Sequence, residues 1–356
     1  TAMFSDNDRI SWMQMEGQFS LAYLGAAALF LPGSLWGRDG VFSVLLGTGI
    51  LFVWIFFLLR QVHVYKCPEK YWGKWPARVV ALICQAYLIL TGGWLISGIT
   101  RLMSEYLIPG VPRWVLAAIL VVTVMAGSKD IQSRGRFAQA AWPVTAGILG
   151  LLLLLAAFQA DPALMMEENR IRQLEIWESA GHIAEGTLAY VAMFAGVALL
   201  PFSLAQTADG GGHRRSVFRT VGRMGLWTAV FLLLELAVFG PLGQAGQPFP
   251  MLDLMAGARL PGGFLRRMDL IFLTAAVLSL MFALGSIFFY SKYIFQKVRL
   301  PASRLPAALL SFVLGTAAFG GWEIGTEYGP LVTFVFLPLL AAVGVCSGFL
   351  RRRRIE

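Results

Sequence analysis

The chain is dominated by long apolar stretches that short polar segments separate. Runs such as residues 41–59 and 142–158 come close to or exceed the roughly 18 uncharged residues that indicate a membrane-spanning helix. Apolar windows read against turn residues predict ten spans, five on each side of a polar, acidic segment. The predicted spans are 14–32, 40–61, 77–100, 112–127, 136–159, 184–206, 217–239, 265–291, 305–320 and 330–350. The pattern predicts an all-α, polytopic membrane bundle, with residues 1–356 as a single membrane domain.

Composition favours the same class of protein. Hydrophobic residues make up 57% of the chain, charged residues only 14%, and the mean hydropathy is +0.68. A water-soluble domain of this length would have to expose much of that apolar surface to water. We therefore expect the lipid bilayer to be the partner of most helix surfaces.

The net charge is +9 and the pI is near 9.7. The positions of the Lys and Arg residues along the chain indicate the topology. With the N-terminus in the cytoplasm, most of the 29 Lys and Arg residues fall on cytoplasmic loops, as the positive-inside rule requires. An acidic cluster falls in the external loop between spans five and six. Its members are Asp161, Glu167, Glu168, Glu175 and Glu178. The charges predict a multi-pass protein with cytoplasmic N- and C-termini and no nucleic-acid partner.

Five spans in each half give the two halves opposite orientations. This arrangement predicts inverted repeats over approximately 10–160 and 180–350, as many transporters have. No signal-peptide pattern precedes the first span, so no cleaved signal is expected. The loop at 65–76 mixes aromatic and basic residues, which is typical of an amphipathic interfacial helix and equally of a solvated loop.

Small residues mark the first span of each half. Residues 24–33 end in Pro32 and Gly33, and residues 192–198 are followed by Pro201. Unwound backbone inside a membrane survives only where it lines a cavity or binds a ligand, and half-helix ends there can hold a carboxylate. Close helix packing is the alternative explanation of such residues. We expect helices 1 and 6 to be interrupted at a binding site.

Ionisable residues within spans are few. Glu16, Arg101, Glu185 and Glu235 all lie toward span ends, where charge costs less than at the bilayer centre. The expected interpretation is a hydrated side chain near the interface for each, with a proton relay or cation vestibule as the alternative for Glu185 and Glu235.

Catalytic motifs are missing from the sequence. It contains no phosphate-binding Gly-rich loop ending in Gly-Lys-Ser/Thr, no His-Glu-x-x-His and no Cys-x-x-Cys. Its three cysteines and three histidines indicate neither a disulfide framework nor a metal cluster. We expect no enzymatic activity, no catalytic residue, no cofactor and no metal.

Several short motifs, in order along nearly the whole chain, resemble one family. They are Leu24-Gly25 to Leu31-Pro32, Asp39-Gly40, Gly73-Lys74-Trp75, Phe249-Pro250, Phe264-x-x-Arg267-x-Asp269 and the basic tail after span ten. The chain resembles the B subunits of spore germinant receptors, which are spore germination permeases of the amino acid, polyamine and organocation superfamily. The resemblance implies a ten-span inverted repeat in the spore inner membrane or the cell membrane. It also implies a larger A-type membrane subunit and a lipoprotein C-type subunit as partners.

The resemblance further implies a mid-membrane pocket for a small-molecule germinant such as an amino acid. By position its residues are Gly25, Ala26 and Ala27 of span one, Tyr87 and Thr91 of span three, Phe194, Ala195 and Gly196 of span six, and Ser279 and Phe282 of span eight. Tyr87 and Thr91 lie one helical turn apart and share a face, although interhelical packing explains such residues as well.

The chain departs from the family at one point. Family members often carry Phe-Gly-Glu in span six, whereas this chain has no acid there and reads Ala195-Gly196-Val197-Ala198. The expected function is a receptor subunit that binds a nutrient and signals germination. The alternatives are an amino-acid/cation symporter of the same superfamily and an assembly member with a degenerate pocket.

Overall fold

The fold is helical throughout the residues that the computed structural model describes, which are 9–31, 34–127, 130–164, 176–193, 203–207, 213–245, 249–257, 267–317 and 324–352. Within those ranges the only β-type pairing is an isolated bridge between Ile10 and Thr207. The helices are α1 (Trp12–Leu29), α2 (Gly37–Lys66), α3 (Pro68–Trp72), α4 (Lys74–Leu102), α5 (Arg113–Ala126), α6 (Ile131–Ala157), α7 (Ile176–Met193), α8 (His213–Ala245), α9 (Pro250–Gly257), α10 (Met268–Lys297), α11 (Leu305–Thr316), α12 (Ile324–Leu331) and α13 (Leu337–Arg352).

Two π-helical turns interrupt the regular helices. Met103–Leu107 continues α4, and Val332–Phe336 joins α12 to α13. In α8 the backbone of Gly240 has a φ of +68°, so this helix kinks where the left-handed conformation is open to glycine.

Six helices among the described residues are long and apolar enough to cross a membrane. They are Gly37–Arg60, Lys74–Leu107, Ile131–Ala157, Arg215–Gly240, Met268–Lys297 and Glu327–Cys346. Arg113–Ala126 and Leu305–Thr316 are shorter apolar helices. The predicted all-α, multi-pass membrane class is confirmed.

Helix α2 shows how the outer helices face lipid. One of its faces is buried through Val44, Leu51 and Ile55. The opposite face exposes large apolar side chains, namely Phe42, Leu45, Leu46, Ile50, Val53 and Phe57. Such an apolar outer surface is stable against hydrocarbon and costly against water.

Helix α1 has the opposite character, because protein surrounds it. It packs against α6, α8 and α10, and its polar residues Glu16, Gln18 and Ser20 are buried. It is not among the six apolar spans because these polar groups lower its hydropathy. Since helices and not lipid cover it, α1 can carry polar groups that neighbouring helices bind.

Polar contacts join α1 to α8 from Glu16 to Tyr23 of α1. The carboxylate of Glu16 accepts hydrogen bonds from the hydroxyl of Ser216 and from Arg219, the latter at 2.8 Å. Two further pairs connect Ser20 with Arg223 at 2.6 Å and Tyr23 with Thr228 at 3.0 Å. The prediction of a hydrated Glu16 is therefore wrong, since its side chain is buried against α8.

The predicted interruption of helix 1 does not occur at the small residues themselves. Gly25 to Ala28 are helical, and α1 ends at Leu29, where the N–H of Phe30 donates to the carbonyl oxygen of Ala26 at 2.8 Å. Pro32 and Gly33 lie outside the described residues. Helix α7 ends at Met193, and the predicted interruption of helix 6 likewise lies outside them.

Two short helices lie between the apolar ones. Helix α3 occupies the 65–76 segment, and the ring of Trp72 packs edge-on against Tyr65 at 5.5 Å. Helix α9 was not predicted, because its eight residues are too few to give a periodic signal.

The close approach of α1 and α10 predicts a large effect of one methyl group at Gly25. A Cβ there would lie 2.5 Å from the carbonyl oxygen of Ala276 and 2.8 Å from the Cβ of Ser279. Gly25→Ala is expected to destabilise the protein by roughly 1–3 kcal/mol, as overpacking does. Gly49→Ala, whose Cβ meets nothing within 4 Å, is the control and should change stability by less than about 1 kcal/mol. Thermal unfolding in detergent measures both, and equal losses would contradict the close approach.

The Glu16–Arg219 pair predicts an asymmetry between its two partners, because only the carboxylate is buried. The side chain of Arg219 is 67% exposed and that of Glu16 10%. Arg219→Ala removes the hydrogen-bonded cation of a buried carboxylate, which keeps only its charge interaction with Arg223, and should cost roughly 1–2 kcal/mol, between the ranges for exposed and buried pairs. Glu16→Gln leaves Arg219 in solvent and should cost less.

The exposed pair of Arg101 and Glu105 provides the control for this asymmetry. Arg101→Ala is expected to change stability by no more than about 0.5 kcal/mol. A larger loss of thermal stability for Glu16→Gln than for Arg219→Ala would show that the carboxylate is not the costly partner.

Candidate functional site

A hydroxyl of α10 enters the backbone hydrogen-bond ladder of α1. The N–H of Gly25 donates to the Oγ of Ser279 at 2.7 Å, and the same hydroxyl donates to the carbonyl oxygen of Leu21. In an undisturbed α-helix these two backbone groups would bond to each other. We call this arrangement of Leu21, Gly25 and Ser279 the serine clasp. A side chain inserted into the ladder is a recognised origin of helix bending.

The clasp satisfies every group that it uses. A serine hydroxyl has one proton and two lone pairs, so it can accept from Gly25 while it donates to Leu21. Ser279 is fully buried. If the hydroxyl withdraws, the two backbone groups of α1 can bond directly, so both states of this turn keep their hydrogen bonds.

Tyr87 and Thr91 lie in an aromatic cluster between α4, α12 and the π turn that follows it. Thr91 donates its proton to the carbonyl oxygen of Tyr87 at 2.9 Å, so its 3.2 Å contact with the hydroxyl of Tyr328 is one in which Tyr328 donates. The ring of Tyr328 stacks on Trp94 at 4.5 Å, and Phe336 packs on Tyr87 at 5.4 Å.

The hydroxyl of Tyr87 is the exception in this cluster. It is buried and makes no hydrogen bond of standard geometry with a described residue, although the hydroxyls of Thr91 and Tyr328 lie close to it. Buried polar groups are nearly always paired, and an unpaired one calls for a ligand or an ordered water. The cluster therefore has a polar atom available inside an aromatic surround, which is typical of small-molecule sites.

Aromatic contacts extend this cluster toward α9. Phe30, just after α1, packs edge-on against Trp94 at 5.5 Å and meets Phe249 at 6.4 Å. Beyond it, the hydroxyl of Tyr106 donates to Asp253 at 3.3 Å. Partial burial raises the pKa of the Asp253 carboxyl, and the hydrogen bond from Tyr106 opposes that change.

Phe282 faces α6 and borders a buried arginine. Its ring stacks on Phe137 at 5.9 Å, and the guanidinium of Arg134 lies 4.7 Å from the centre of the ring. Arg134 also donates to the carbonyl oxygen of Phe282 at 3.2 Å and to Ser286 at 2.6 Å. Sequence reasoning counted Arg134 as a loop charge, but the structure places it in the first turn of α6, where it ties α6 to α10.

Glu235 is buried, so the prediction of a hydrated carboxylate is wrong for it. The residue is 1% exposed, and its Oε2 accepts from the side chain of Gln244 at 3.0 Å. Gln244 in turn accepts from the N–H of Gly37 at 2.9 Å. Glu185, in contrast, is exposed as predicted. The chain kinks at Gly240 and brings Gln244 against Glu235. The distance of Glu235 from the span end in the sequence does not reveal this contact.

The structure brings the candidate ligand-binding residues into two contacts. Gly25 meets Ser279 in the serine clasp, and Tyr87 and Thr91 meet in the aromatic cluster. No hydrogen bond or ring contact between described residues joins the two. Ala26 and Ala27 are buried in the same α1 segment as Gly25. Phe194, Ala195 and Gly196 lie outside the described residues.

Four residues of these contacts were missed by sequence reasoning. Trp94, Arg134, Gln244 and Tyr328 give no motif or spacing signal, because their partners lie on helices distant in sequence. Only the pairing of helices, which the sequence does not encode locally, places them together.

Comparison with known proteins agrees with this helical membrane architecture. The spore permease family model, described as spore germination protein, matches residues 9–299. The chain is also 23% identical over 299 residues to spore germination protein KB of Bacillus subtilis (strain 168), which covers 82% of this chain and 77% of that protein. The family match includes the helices that form the serine clasp, α1 and α10, and α4 of the aromatic cluster. The chain therefore belongs to the spore germination permease family, the germinant receptor B-subunit family that its motifs resemble.

Proposed function

We propose that the protein is the permease-like membrane subunit of a spore germinant receptor, which binds an amino acid or a similar small nutrient and signals germination. The observation that carries the proposal is the buried hydroxyl of Tyr87, which makes no hydrogen bond of standard geometry, beside the Thr91–Tyr328 pair and the stacked ring of Trp94. A nutrient with a polar head would satisfy that hydroxyl and place its apolar part against the rings.

The serine clasp supplies the element that a bound nutrient can shift. Its two states exchange one backbone hydrogen bond of α1 for two bonds to Ser279, so the backbone groups of Leu21 and Gly25 are paired in both states. A ligand changes such an equilibrium only through unequal affinity for the two states. Phe30 lies just after α1 and packs against Trp94 of the aromatic cluster, which connects the ligand position to the clasp helix.

The proposed architecture is ten spans in two inverted repeats, formed by α1, α2, α4, α5 and α6 and by α7, α8, α10, α11 and α12–α13. Packing between helices supports it, because contacts recur in matched pairs. The contact of α2 with α7 corresponds to that of α8 with α1 in the other repeat. The contact of α4 with α11 corresponds to that of α10 with α5, and the contact of α6 with α10 to that of α12 with α4.

Family membership supports the proposed partners and location. The B subunit would act beside a larger A-type membrane subunit and a lipoprotein C-type subunit in the spore inner membrane or the cell membrane. Both termini would be cytoplasmic, which agrees with the Lys and Arg excess on the same side.

Cys67 allows a direct test of this orientation. It is exposed between α2 and α3, on the side predicted to be cytoplasmic, whereas Cys84 is buried and Cys346 lies within the last apolar span. In a protein that keeps only Cys67, a charged maleimide is expected to label inverted vesicles and to leave intact cells unlabelled. Labelling of intact cells would reverse the proposed topology.

Tyr87→Phe tests nutrient binding, because it removes only the hydroxyl of that ring. The variant should keep most of its thermal stability, since the hydroxyl makes no hydrogen bond of standard geometry with a described residue. It should lose at least about tenfold in affinity for the nutrient that stabilises the wild-type protein in a panel of amino acids, equivalent to roughly 1.4 kcal/mol.

Tyr23→Phe is the matched control, because Tyr23 is an equally buried tyrosine whose hydroxyl is paired with Thr228. It should lose about 1 kcal/mol of stability and keep the nutrient response. A Tyr87→Phe protein with wild-type affinity would contradict the site. Uptake of labelled nutrient into proteoliposomes under an ion gradient would indicate the symporter instead of the receptor.

A further inference from the structure

Glu235 is a buried carboxylate with one oxygen still unpaired. Its Oε2 accepts from Gln244, but its Oε1 is buried and has no hydrogen-bond partner among the described residues. No Lys, Arg or His side chain of the described residues forms an ion pair with Glu235. An ionised carboxylate in this position needs a compensating charge, because burial without one is very costly.

The orientation of Gln244 is fixed by its other contact. Its Oε1 accepts from the N–H of Gly37 at the start of α2, so its amide nitrogen must face Glu235. The reversed amide would place two donors against each other at Gly37. Gln244 therefore holds one carboxylate oxygen and leaves the other for a different group.

Glu235 lies level with the C-terminal end of α1. Helices α1 and α8 run in parallel, because Glu16 pairs with Ser216, Ser20 with Arg223 and Tyr23 with Thr228. Two turns, or about 10 Å, beyond the last pair lie Phe30 on one chain segment and Glu235 on the other. Phe30 is the residue at which α1 stops.

The end of α1 adds to the negative potential at this level. The last carbonyl groups of a helix lack partners within the helix and carry the negative end of its dipole. The carboxylate of Glu235 and these carbonyls are thus at the same level of the bundle, and no Lys, Arg or His of the described residues forms an ion pair with the carboxylate.

We propose that the Glu235 carboxylate and the C-terminal end of α1 bind one monovalent cation, either an alkali ion or the ammonium group of a small organic molecule. A divalent metal fits less well, because no group of three His, Cys, Asp or Glu side chains lies together among the described residues. The cation site is formed by α1 and α8, whereas the hydroxyl of the proposed nutrient site belongs to Tyr87 of α4, so separate variants test the two sites.

Thermal unfolding of the purified full chain tests the proposal. Ionic strength is held constant with choline chloride, which is replaced stepwise by sodium, potassium or methylammonium chloride. At least one of the three is expected to raise the Tm by roughly 3–5 °C in a saturable way. Saturation by an alkali ion identifies a metal-ion site, and saturation by methylammonium alone identifies an ammonium site.

Two carboxylate variants decide whether Glu235 carries the effect. Glu235→Gln should abolish the saturable rise in Tm, and Glu185→Gln, which changes an exposed carboxylate, should keep it. If Glu235→Gln does not fold, Glu235→Asp keeps the charge on a shorter side chain and should raise the midpoint cation concentration at least about tenfold.

Two results would overturn the proposal. One is a Tm that none of the three cations raises above the choline value. The other is a saturable rise that persists unchanged in the Glu235 variants. Neither result depends on a nutrient, so both leave the Tyr87→Phe test of the proposed function untouched.

Discussion

The burial of a polar helix at the centre of the bundle is the constraint on which the rest of the structure depends. Helix α1 carries Glu16, Gln18, Ser20 and Tyr23 into a position that neither lipid nor bulk water reaches. Each of these groups must therefore be paired by a neighbouring helix. The pairing fixes α8 beside α1 and, through the serine clasp, α10 on its other side. The apolar outer helices then only need to cover this inner assembly.

The same constraint explains why the candidate sites lie where they do. Most polar groups of α1 are bound by a neighbouring helix. The hydroxyl of Tyr87 and one oxygen of Glu235 are buried and make no hydrogen bond of standard geometry with a described residue, and the same is true of the Nε2 of Gln18 in α1. A shift of α1 at the serine clasp would alter its contacts with α8 and with Phe30 together. In the proposed receptor, α1 would therefore be the helix that passes the effect of a bound nutrient to partner subunits.

Apolar periodicity was sufficient to predict the helices but not their environment. The predicted spans near 40–61 and 77–100 correspond to α2 and α4 within a few residues. The small residues near Gly25 were predicted to interrupt helix 1, but α1 is helical there and Ser279 bonds to its backbone. Gly and Ala are compatible both with unwound backbone and with close helix packing, and the neighbouring helix determines which of the two occurs.

Charged residues were harder to place, because distance from a span end does not measure burial. Glu235 lies close to Gly240 in sequence, yet the kink there brings Gln244 back over it. Arg134 follows a basic loop, but the first turn of α6 carries it between α6 and α10. Both errors come from tertiary pairing, which a single sequence does not reveal.

The amide resonance of Gly25 tests the serine clasp most directly. In protein labelled with carbonyl-13C leucine and 15N glycine, an HNCO spectrum shows only the glycines that follow leucine, which include Gly25 and Gly47. The Gly25 signal is assigned by its loss in Gly25→Ala. If Ser279 accepts the Gly25 N–H, Ser279→Ala will shift the Gly25 resonance and leave that of Gly47, which packs against Tyr190, in place. A Gly25 resonance that does not move would contradict the clasp.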